Sequence, residues 1–225
     1  MLITIPNLLD KQRLDFIQQT LKKSNFVDGT LSAGMAAKRV KNNEELAANE
    51  QQMQQLNNLV MGNLVQHDEF KAAAIPLRVA APYYARYSKG MTYGDHVDDP
   101  IMGGGAGQQY RSDVSTTVFL NEPNEYEGGE LVITTSFGEQ KIKLAAGSAV
   151  VYPSSSLHHV AEVTKGTRLV AVTWAQSMVR DPAKRELLYT LNQARESLLK
   201  QRPDDAETKQ VDVSYVNLFR MWSEL

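Results

Sequence analysis

The stretch TRLVAVTW, residues 167–174, is rich in β-branched and aromatic residues, which favour an extended backbone. Side chains two positions apart share one face of a strand, so Arg168 lies on the same face as Val170 and Trp174. An arginine on an apolar face costs roughly several kcal/mol unless it meets an anion. Its planar guanidinium can hold a carboxylate through two hydrogen bonds. The stretch therefore predicts a core strand that carries an anion anchor; the alternative is a strand-end arginine that reaches solvent or a structural Asp.

Short extended segments separated by Gly, Pro and Asn turns precede this strand, from about Ile75 onward. Closely spaced short strands of this kind are typical of an antiparallel sandwich or barrel. The predicted strands are 77–79, 83–87, 114–120, 130–135, 140–144, 148–152, 157–163 and 168–174.

Helical patterns flank the strands on both sides, so the fold class is α+β with a mainly β core. Residues 7–23 and 44–66 carry apolar side chains at helical spacing, which predicts two amphipathic helices that support the core. Asp181 and Pro182 begin a further helical region, because Asp caps helices and Pro suits their first turn. Its apolar stripes indicate either packing on the barrel or self-association into a homo-oligomer.

The composition excludes several classes of protein. The 225 residues carry a formal charge of -2, so the chain lacks the positive charge that binding to nucleic acid requires. No apolar run is long enough to span a membrane. The chain has no cysteine, so a metal would be held by nitrogen and oxygen ligands. The first residues do not resemble a signal peptide, which favours a cytoplasmic protein.

The candidate metal ligands are histidines and one aspartate. Of the four histidines, His67 falls at the end of a predicted helix and is interpreted as a surface residue. His96 and Asp98 lie two positions apart, so an extended backbone presents both to one ion, with Asp95 and Asp99 on the opposite face.

The third ligand must come from His158 or His159. These neighbours face opposite sides of a strand, and the strand pattern alone leaves the choice open. Two histidines and one carboxylate leave open positions on the metal, as non-haem iron(II) requires, whereas zinc more often takes three or four tight ligands.

The spacing of these residues resembles the prolyl-hydroxylase branch of the Fe(II)/2-oxoglutarate-dependent dioxygenases. That pattern is His-x-Asp, a distal His some tens of residues later, and a basic residue about ten positions further on. His158 lies 62 positions after His96, and Arg168 lies ten after His158. Within the branch, the flanking segments look closest to the bacterial PKHD-type hydroxylases. Further matches are Tyr87, Tyr93, Trp174 and the turn 128–131.

The resemblance implies a double-stranded β-helix (jelly-roll) barrel at about 78–177 within an oxygenase domain 1–177, and a C-terminal helical extension 178–225. It implies Fe(2+) held by His96, Asp98 and His158, with 2-oxoglutarate and O2 as cosubstrates and L-ascorbate as an auxiliary reductant. Arg168 would bind the distal carboxylate of 2-oxoglutarate, with Tyr87 assisting.

Substrate contacts are expected at the mouth of the barrel. Tyr93, Arg111 and Trp174 are the candidates, although Arg111 could equally form a surface ion pair with Asp113. The glycine-rich residues 101–107 predict either a lid or a passive connection. The expected reaction is hydroxylation of a small-molecule or peptide substrate, with decarboxylation of 2-oxoglutarate to succinate. The rival classes are a metal-dependent hydrolase or cupin-like isomerase at the same three ligands, and a non-enzymatic interaction barrel.

Overall fold

A computed structural model describes residues 1–105 and 107–225 of the chain. Its helices are α1 (Lys11–Lys22), α2 (Glu50–Leu64), α3 (Asp68–Ala74), α4 (Pro182–Gln201) and α5 (Ala206–Trp222), with short 3-10 turns at Gly29–Ser32 and Ala37–Arg39. Its strands are β1 (Ile3–Ile5), β2 (Asn25–Asp28), β3 (Lys41–Asn42), β4 (Glu44–Ala47), β5 (Pro76–Val79), β6 (Tyr83–Ser88), β7 (Thr92–His96), β8 (Ile101–Met102), β9 (Tyr110–Arg111), β10 (Val114–Phe119), β11 (Tyr126–Gly128), β12 (Leu131–Thr135), β13 (Gly138–Ile142), β14 (Ala149–Pro153), β15 (His158–Val160) and β16 (Val163–Ser177).

Two antiparallel sheets form the body of the molecule. The larger sheet has the order β1-β14-β10-β16-β6-β4-β2, and β5 and β11 also pair with the long strand β16. The smaller sheet has the order β13-β12-β15-β7-β3, and β8 pairs with β9 separately. The predicted antiparallel sandwich is confirmed.

The apolar core between the sheets draws on both of them. Phe119, Val150 and Val170 come from the larger sheet and pack in one cluster with Leu131 and Ile133 of the smaller sheet. Alternate residues of each strand point into this space, as expected for sheets stacked face to face. The inner face of β16 is the face that carries Arg168.

The N-terminal helices cover the outer face of the larger sheet. Ile17 of α1 and Leu56 of α2 pack in a second cluster with Val118 and Ala171, which lie on the outer faces of β10 and β16. The helices therefore support the sandwich from one side. Asp10 caps α1 by accepting a hydrogen bond from the Arg13 amide.

The second helix is shorter than predicted. Residues 44–47 form strand β4, and the helix begins at Glu50 after Asn49, whose side chain accepts a hydrogen bond from the Gln52 amide. The helical spacing of Leu46 with later residues was misleading, because β4 pairs with β2 and β6 and buries Leu46 from a strand. Tertiary pairing here overrides local propensity.

The C-terminal helices pack on the rest of the chain. Leu188 of α4 lies in a small apolar cluster with Ile75 and Val179, against which Phe219 and Trp222 of α5 pack. Arg185 is buried and donates hydrogen bonds to the carbonyls of Val179, Arg180 and Asp113. Among the helices of the described residues, none combines the length and the apolar character needed to cross a membrane.

Candidate functional site

Strand pairing in the smaller sheet brings two histidines together. His96 on β7 and His158 on β15 are direct partners in the antiparallel register, and their ring centroids lie 4.2 Å apart. Asp98 follows the end of β7, and its Oδ1 lies 3.9 Å from His96 Nε2 and 3.8 Å from His158 Nε2. One donor atom from each of the three residues lies within 4.8 Å of the other two, so they could hold a single metal ion.

Hydrogen bonds on the far side of each imidazole fix which nitrogen faces this cluster. His96 Nδ1 donates to the Gly94 carbonyl at 2.8 Å, and His158 Nδ1 donates to the Ser156 carbonyl at 2.9 Å. A carbonyl oxygen only accepts, so the proton of each neutral ring belongs on Nδ1. Both Nε2 atoms keep a free lone pair, as a metal ligand must.

Ser115 orients the Asp98 carboxylate and is itself hydrogen-bonded to Ser154. Ser115 on β10 donates to Asp98 Oδ2 at 2.5 Å, and its hydroxyl lies 2.8 Å from that of Ser154. This leaves Oδ1 directed at the histidines. Burial, together with the neighbouring His158, lowers the pKa of His96 to about 4, so its ring is neutral at physiological pH. Two imidazoles and one carboxylate fit Fe(II) with open coordination positions.

His159 lies on the opposite face of β15. Its Nδ1 is 2.9 Å from Asp95 Oδ1 in a contact exposed to solvent. The structure thus separates the two adjacent histidines in the way that alternating strand residues require. His67 lies apart from the cluster, where its side chain accepts a hydrogen bond from the Glu69 amide at the start of α3.

Arg168 lies on the inner face of β16, facing a cavity of about 60 Å³ that also reaches His96, Asp98 and His158. The side chain is 1% exposed, and its Nε has no hydrogen-bond partner among the described residues. A buried guanidinium with an unmet donor calls for an anion. The arrangement therefore fits a ligand that has a carboxylate at one end and metal-binding oxygens at the other.

Tyr87 forms the wall beside this guanidinium. It is the direct strand partner of Arg168, whose Cζ lies 5.0 Å from the Tyr87 ring centroid. Burial raises the pKa of Tyr87, so its hydroxyl keeps its proton and can donate to an anion.

A glycine makes room for the arginine stem. Gly129 has φ +67°, and a Cβ there would lie 3.1 Å from Arg168 Cδ and 2.9 Å from Val163 Cγ2. Only a residue without a side chain suits both this backbone conformation and this contact. The turn at 128–131 therefore packs against the Arg168 side chain and helps to fix its position.

A larger cleft of about 830 Å³ opens outward from His96 and Asp98. Tyr93 and Trp174 line both the cleft and the inner cavity, and Tyr93 stacks on His96 with ring centroids 3.7 Å apart. Residues 101–103 and Gln108 line its rim, whereas Ala106 of the glycine-rich loop lies outside the described residues.

The structure places Arg111 away from this cleft. Its Nε pairs with Asp113 Oδ1 at 2.7 Å, and its other donors reach the Ser177 carbonyl and Glu224. Arg111 does not belong to the residues that line the cleft or the inner cavity in the described part of the chain. Its contacts join the C-terminal end of the chain to the sheet.

The sequence did not predict that residues of the N-terminal part form a wall of the inner cavity. Lys41, Asn43 and Glu45 line the inner cavity, and so does Tyr152 of β14, whose ring meets His158 edge-on at 5.2 Å. Lys41 and Asn43 carried no recognisable motif, and Glu45 lay inside the predicted helix. Residues 41–45 are all polar, so no alternation of apolar and polar side chains marks them as extended in the sequence.

Two family models match the chain. The model of the 2OG-Fe(II) oxygenase superfamily matches residues 82–176, and that of the PKHD-type hydroxylase C-terminal domain matches residues 182–224. The first match contains all three clustered residues together with Arg168 and Tyr87.

Relatives and solved structures agree with these matches. A PKHD-type hydroxylase from Thioalkalivibrio sulfidiphilus is 52% identical over 225 residues, 100% of both chains. A prolyl hydroxylase from Trichoplax adhaerens, solved with a hypoxia inducible factor oxygen degradation domain peptide fragment, has a TM-score of 0.58 at 18% identity, covering 83% of this chain and 86% of that one. HygX from Streptomyces hygroscopicus, solved with nickel, 2-oxoglutarate and hygromycin B bound, has a TM-score of 0.54 at 12% identity, covering 79% and 84%. The fold is the double-stranded β-helix expected from the sequence.

Proposed function

Because the chain belongs to the 2OG-Fe(II) oxygenase superfamily and, within it, to the PKHD-type hydroxylases, we propose that His96, Asp98 and His158 hold its Fe(II). The chain is an Fe(II)- and 2-oxoglutarate-dependent dioxygenase, and it hydroxylates its substrate while 2-oxoglutarate is decarboxylated to succinate. The family membership favours this reaction over a hydrolase, an isomerase or a non-enzymatic barrel.

The main support for this assignment is the position of the three side chains. Each of them directs one donor atom at the same point, and its other polar atom is hydrogen-bonded elsewhere in the chain. The backbone carbonyls of Gly94 and Ser156 orient the two imidazoles, and Ser115 orients the carboxylate. Hydrogen bonds of this kind fix the tautomer and the ring direction of a metal ligand before the metal arrives. Iron and 2-oxoglutarate, when bound with O2, supply the oxidising chemistry, and L-ascorbate as an auxiliary reductant belongs to the same proposal.

Arg168 and Tyr87 would bind the distal carboxylate of 2-oxoglutarate. Support comes from the unmet Nε donor of the buried guanidinium and from the protonated hydroxyl beside it. The inner cavity joins these groups to the three proposed ligands, so one molecule of the cosubstrate can contact both. Burial of the guanidinium excludes water that would otherwise compete for the carboxylate.

The outer cleft is the proposed substrate site, with Tyr93 and Trp174, which also line the inner cavity, as its contacts. The Trichoplax adhaerens enzyme takes a peptide fragment and HygX takes hygromycin B, so one fold serves a peptide and a small molecule. We propose a substrate from one of these two classes. Arg111 is left out of the substrate site, because its donors are used within the chain.

We also propose a domain organisation, an oligomeric state and a location for the chain. An oxygenase domain at 1–177 would be followed by a C-terminal extension at 178–225, whose exposed apolar side chains, among them Val213 and Met221, favour a homo-oligomer. The formal charge of -2 argues against nucleic acid as a partner. We place the enzyme in the cytoplasm, where its cosubstrate is a common metabolite.

Anaerobic titration of the protein with Fe(II) and 2-oxoglutarate tests the proposed function. The expected result is a weak visible charge-transfer band that appears only when both are present. On admission of O2, succinate should form in amounts matching the 2-oxoglutarate consumed. A protein that gives neither the band nor oxygen-dependent succinate, even with candidate substrates, would contradict the proposal.

A further inference from the structure

Tyr152 is a buried tyrosine on the wall of the inner cavity, and the proposed function gives it no role. It belongs to β14, is 3% exposed and lines the cavity together with Tyr87 and Arg168. A tyrosine combines an apolar ring with a hydroxyl that usually finds a hydrogen-bond partner when it is buried. Because this side chain borders the cavity and is shielded from solvent, a ligand in the cavity can serve as that partner.

The register of the larger sheet places Tyr152 at the level of the proposed metal ligands. Tyr152 is the direct partner of Ser115 in the antiparallel pair of β14 with β10. Side chains directly opposite each other in such a pair lie on the same face of the sheet. Ser115 donates to Asp98 Oδ2 at 2.5 Å, so Tyr152 lies beside the serine that orients one of the three ligands.

Arg168 and Tyr87 belong to a different level of the same sheet. Ser115 also pairs with Trp174 of β16, so Tyr152, Ser115 and Trp174 form one row across the sheet. Arg168 lies six positions before Trp174 on β16, and its partner on β6 is Tyr87. The two cavity-lining tyrosines therefore start from opposite ends of the cavity, Tyr152 from the metal end and Tyr87 from the end of the anion anchor.

The Tyr152 ring also packs against a proposed ligand. Its centroid lies 5.2 Å from that of His158, and the two rings meet edge-on at 71°, which is a favourable aromatic arrangement. His158 comes from the smaller sheet, so this contact closes the metal end of the cavity between the two sheets. A ligand atom bound to the metal beside His158 would lie next to the Tyr152 side chain.

The metal end of the cavity lacks a free cation for a bound carboxylate. A 2-oxo acid that chelates a metal through its keto oxygen and one carboxylate oxygen keeps a second carboxylate oxygen, which needs a donor once it is buried. Lys41 also lines the cavity, but its Nζ is paired with Glu45 Oε1 at 2.5 Å. Burial raises the pKa of Tyr152 well above its usual range, so its hydroxyl keeps its proton and can donate.

We propose that Tyr152 is a cosubstrate-binding residue, whose hydroxyl donates a hydrogen bond to the metal-binding end of 2-oxoglutarate beside His158. This inference rests on the proposed function. It divides the cosubstrate between two tyrosines, with Tyr87 at the distal carboxylate and Tyr152 at the 2-oxo acid. The two hydroxyls should therefore respond differently to a ligand that has no distal carboxylate.

Calorimetric binding to the Mn(II)-loaded full chain tests this difference without relying on turnover. The ligands are 2-oxoglutarate and 2-oxobutyrate, which keeps the 2-oxo acid but lacks the distal carboxylate. Tyr152→Phe keeps the ring against His158 and loses only the hydroxyl. It should weaken both acids about tenfold, as expected for a lost hydrogen bond to a charged group, and leave Mn(II) affinity unchanged. Tyr87→Phe should weaken 2-oxoglutarate alone.

Tyr84 offers a matched control. It is 1% exposed and packs in the apolar cluster on the outer face of the larger sheet, away from the cavity. Tyr84→Phe removes a buried hydroxyl in the same way as Tyr152→Phe, so it accounts for any general effect of the substitution on stability. Its affinities for Mn(II) and for both acids should equal those of the wild-type protein.

The visible band of the anaerobic Fe(II) and 2-oxoglutarate complex gives a second readout. A hydrogen bond to the metal-binding oxygens withdraws electron density from the 2-oxo acid and so lowers the energy of the charge transfer. Tyr152→Phe should therefore shift the band to shorter wavelength, whereas Tyr87→Phe should leave it in place. If 2-oxobutyrate binds too weakly to measure, the position of this band decides.

Three results would overturn the inference. They are normal binding of both acids by Tyr152→Phe, a loss confined to 2-oxoglutarate, which would place the hydroxyl at the distal carboxylate, and a band that stays at the wild-type position. A wild-type protein that binds Mn(II) but neither acid would overturn the proposed function itself, which is a separate result.

Discussion

His96 and His158 are direct cross-strand partners, and their rings meet 4.2 Å apart on the inner face of the smaller sheet. Side chains directly opposite each other in an antiparallel pair are held at a fixed separation by the backbone ladder. The register of β7 against β15 therefore sets the distance between two proposed ligands. A slip of one residue would place His159 in the site instead.

The first prediction compares the two adjacent histidines. His158→Ala should abolish Fe(II) binding, because it removes one of three proposed ligands, whereas His159→Ala should leave most of it. Equilibrium dialysis of each variant with Fe(II) under anaerobic conditions measures the difference. Loss of binding in His159→Ala alone would mean that the side chains alternate in the opposite sense.

The second prediction concerns the anion anchor. Arg168→Ala should raise the 2-oxoglutarate concentration needed for half-maximal binding by one to two orders of magnitude, about 1.5–3 kcal/mol for a lost charge-assisted hydrogen bond. Arg86→Ala, on the outer face of neighbouring β6, removes a half-buried ion pair with Glu44 and serves as the control. If Arg168→Ala needs no more 2-oxoglutarate than the wild-type protein, Arg168 does not bind the cosubstrate.

The third prediction uses two glycines with positive φ. Gly129→Ala should both destabilise the protein and weaken 2-oxoglutarate binding, because the new methyl group meets Arg168 Cδ and Val163. Gly138→Ala has a comparable backbone strain at φ +109° but meets nothing within 4 Å, so it should lower stability alone. Thermal unfolding and 2-oxoglutarate titration of both variants give the comparison. Equal binding by the two would show that the turn does not position Arg168.

The fourth prediction concerns support of the carboxylate. Ser115→Ala removes the hydrogen bond to Asp98 Oδ2 and should weaken Fe(II) binding by about tenfold or more, the usual effect of losing a group that orients a metal ligand. The exposed Ser155→Ala on the loop before His158 is the control. Competition with a chelator of known affinity measures both. Ser115→Ala with wild-type affinity would show that Asp98 needs no such support.

The central strands of the larger sheet can be predicted from the sequence. Strands such as β10, β14 and β16 are rich in β-branched residues, so they can be recognised as extended without tertiary information. The grouping of His96 with Asp98 is equally local, since it follows from a spacing of two positions. His158 required more, because only its distance from Arg168 distinguished it from His159 in the sequence.

The N-terminal wall was beyond prediction because its structure depends on distant partners. The extended conformation of residues 41–47 depends on the pairing of β3 with β7 and of β4 with both β2 and β6. Read alone, Glu44 to Leu46 continue the helical pattern of α2, and Asn43 looks like a surface residue. Arg111 follows the alternative that the sequence left open, because its Nε donates to Asp113 and another of its nitrogens donates to the Ser177 carbonyl.

The most direct measurement is anomalous diffraction at the iron edge from crystals grown anaerobically with Fe(II) and 2-oxoglutarate. We expect one strong peak between His96 Nε2, His158 Nε2 and the Asp98 carboxylate, with the distal carboxylate of 2-oxoglutarate at Arg168 and Tyr87. A peak at the exposed pair His159 and Asp95, or a cosubstrate bound away from Arg168, would contradict it.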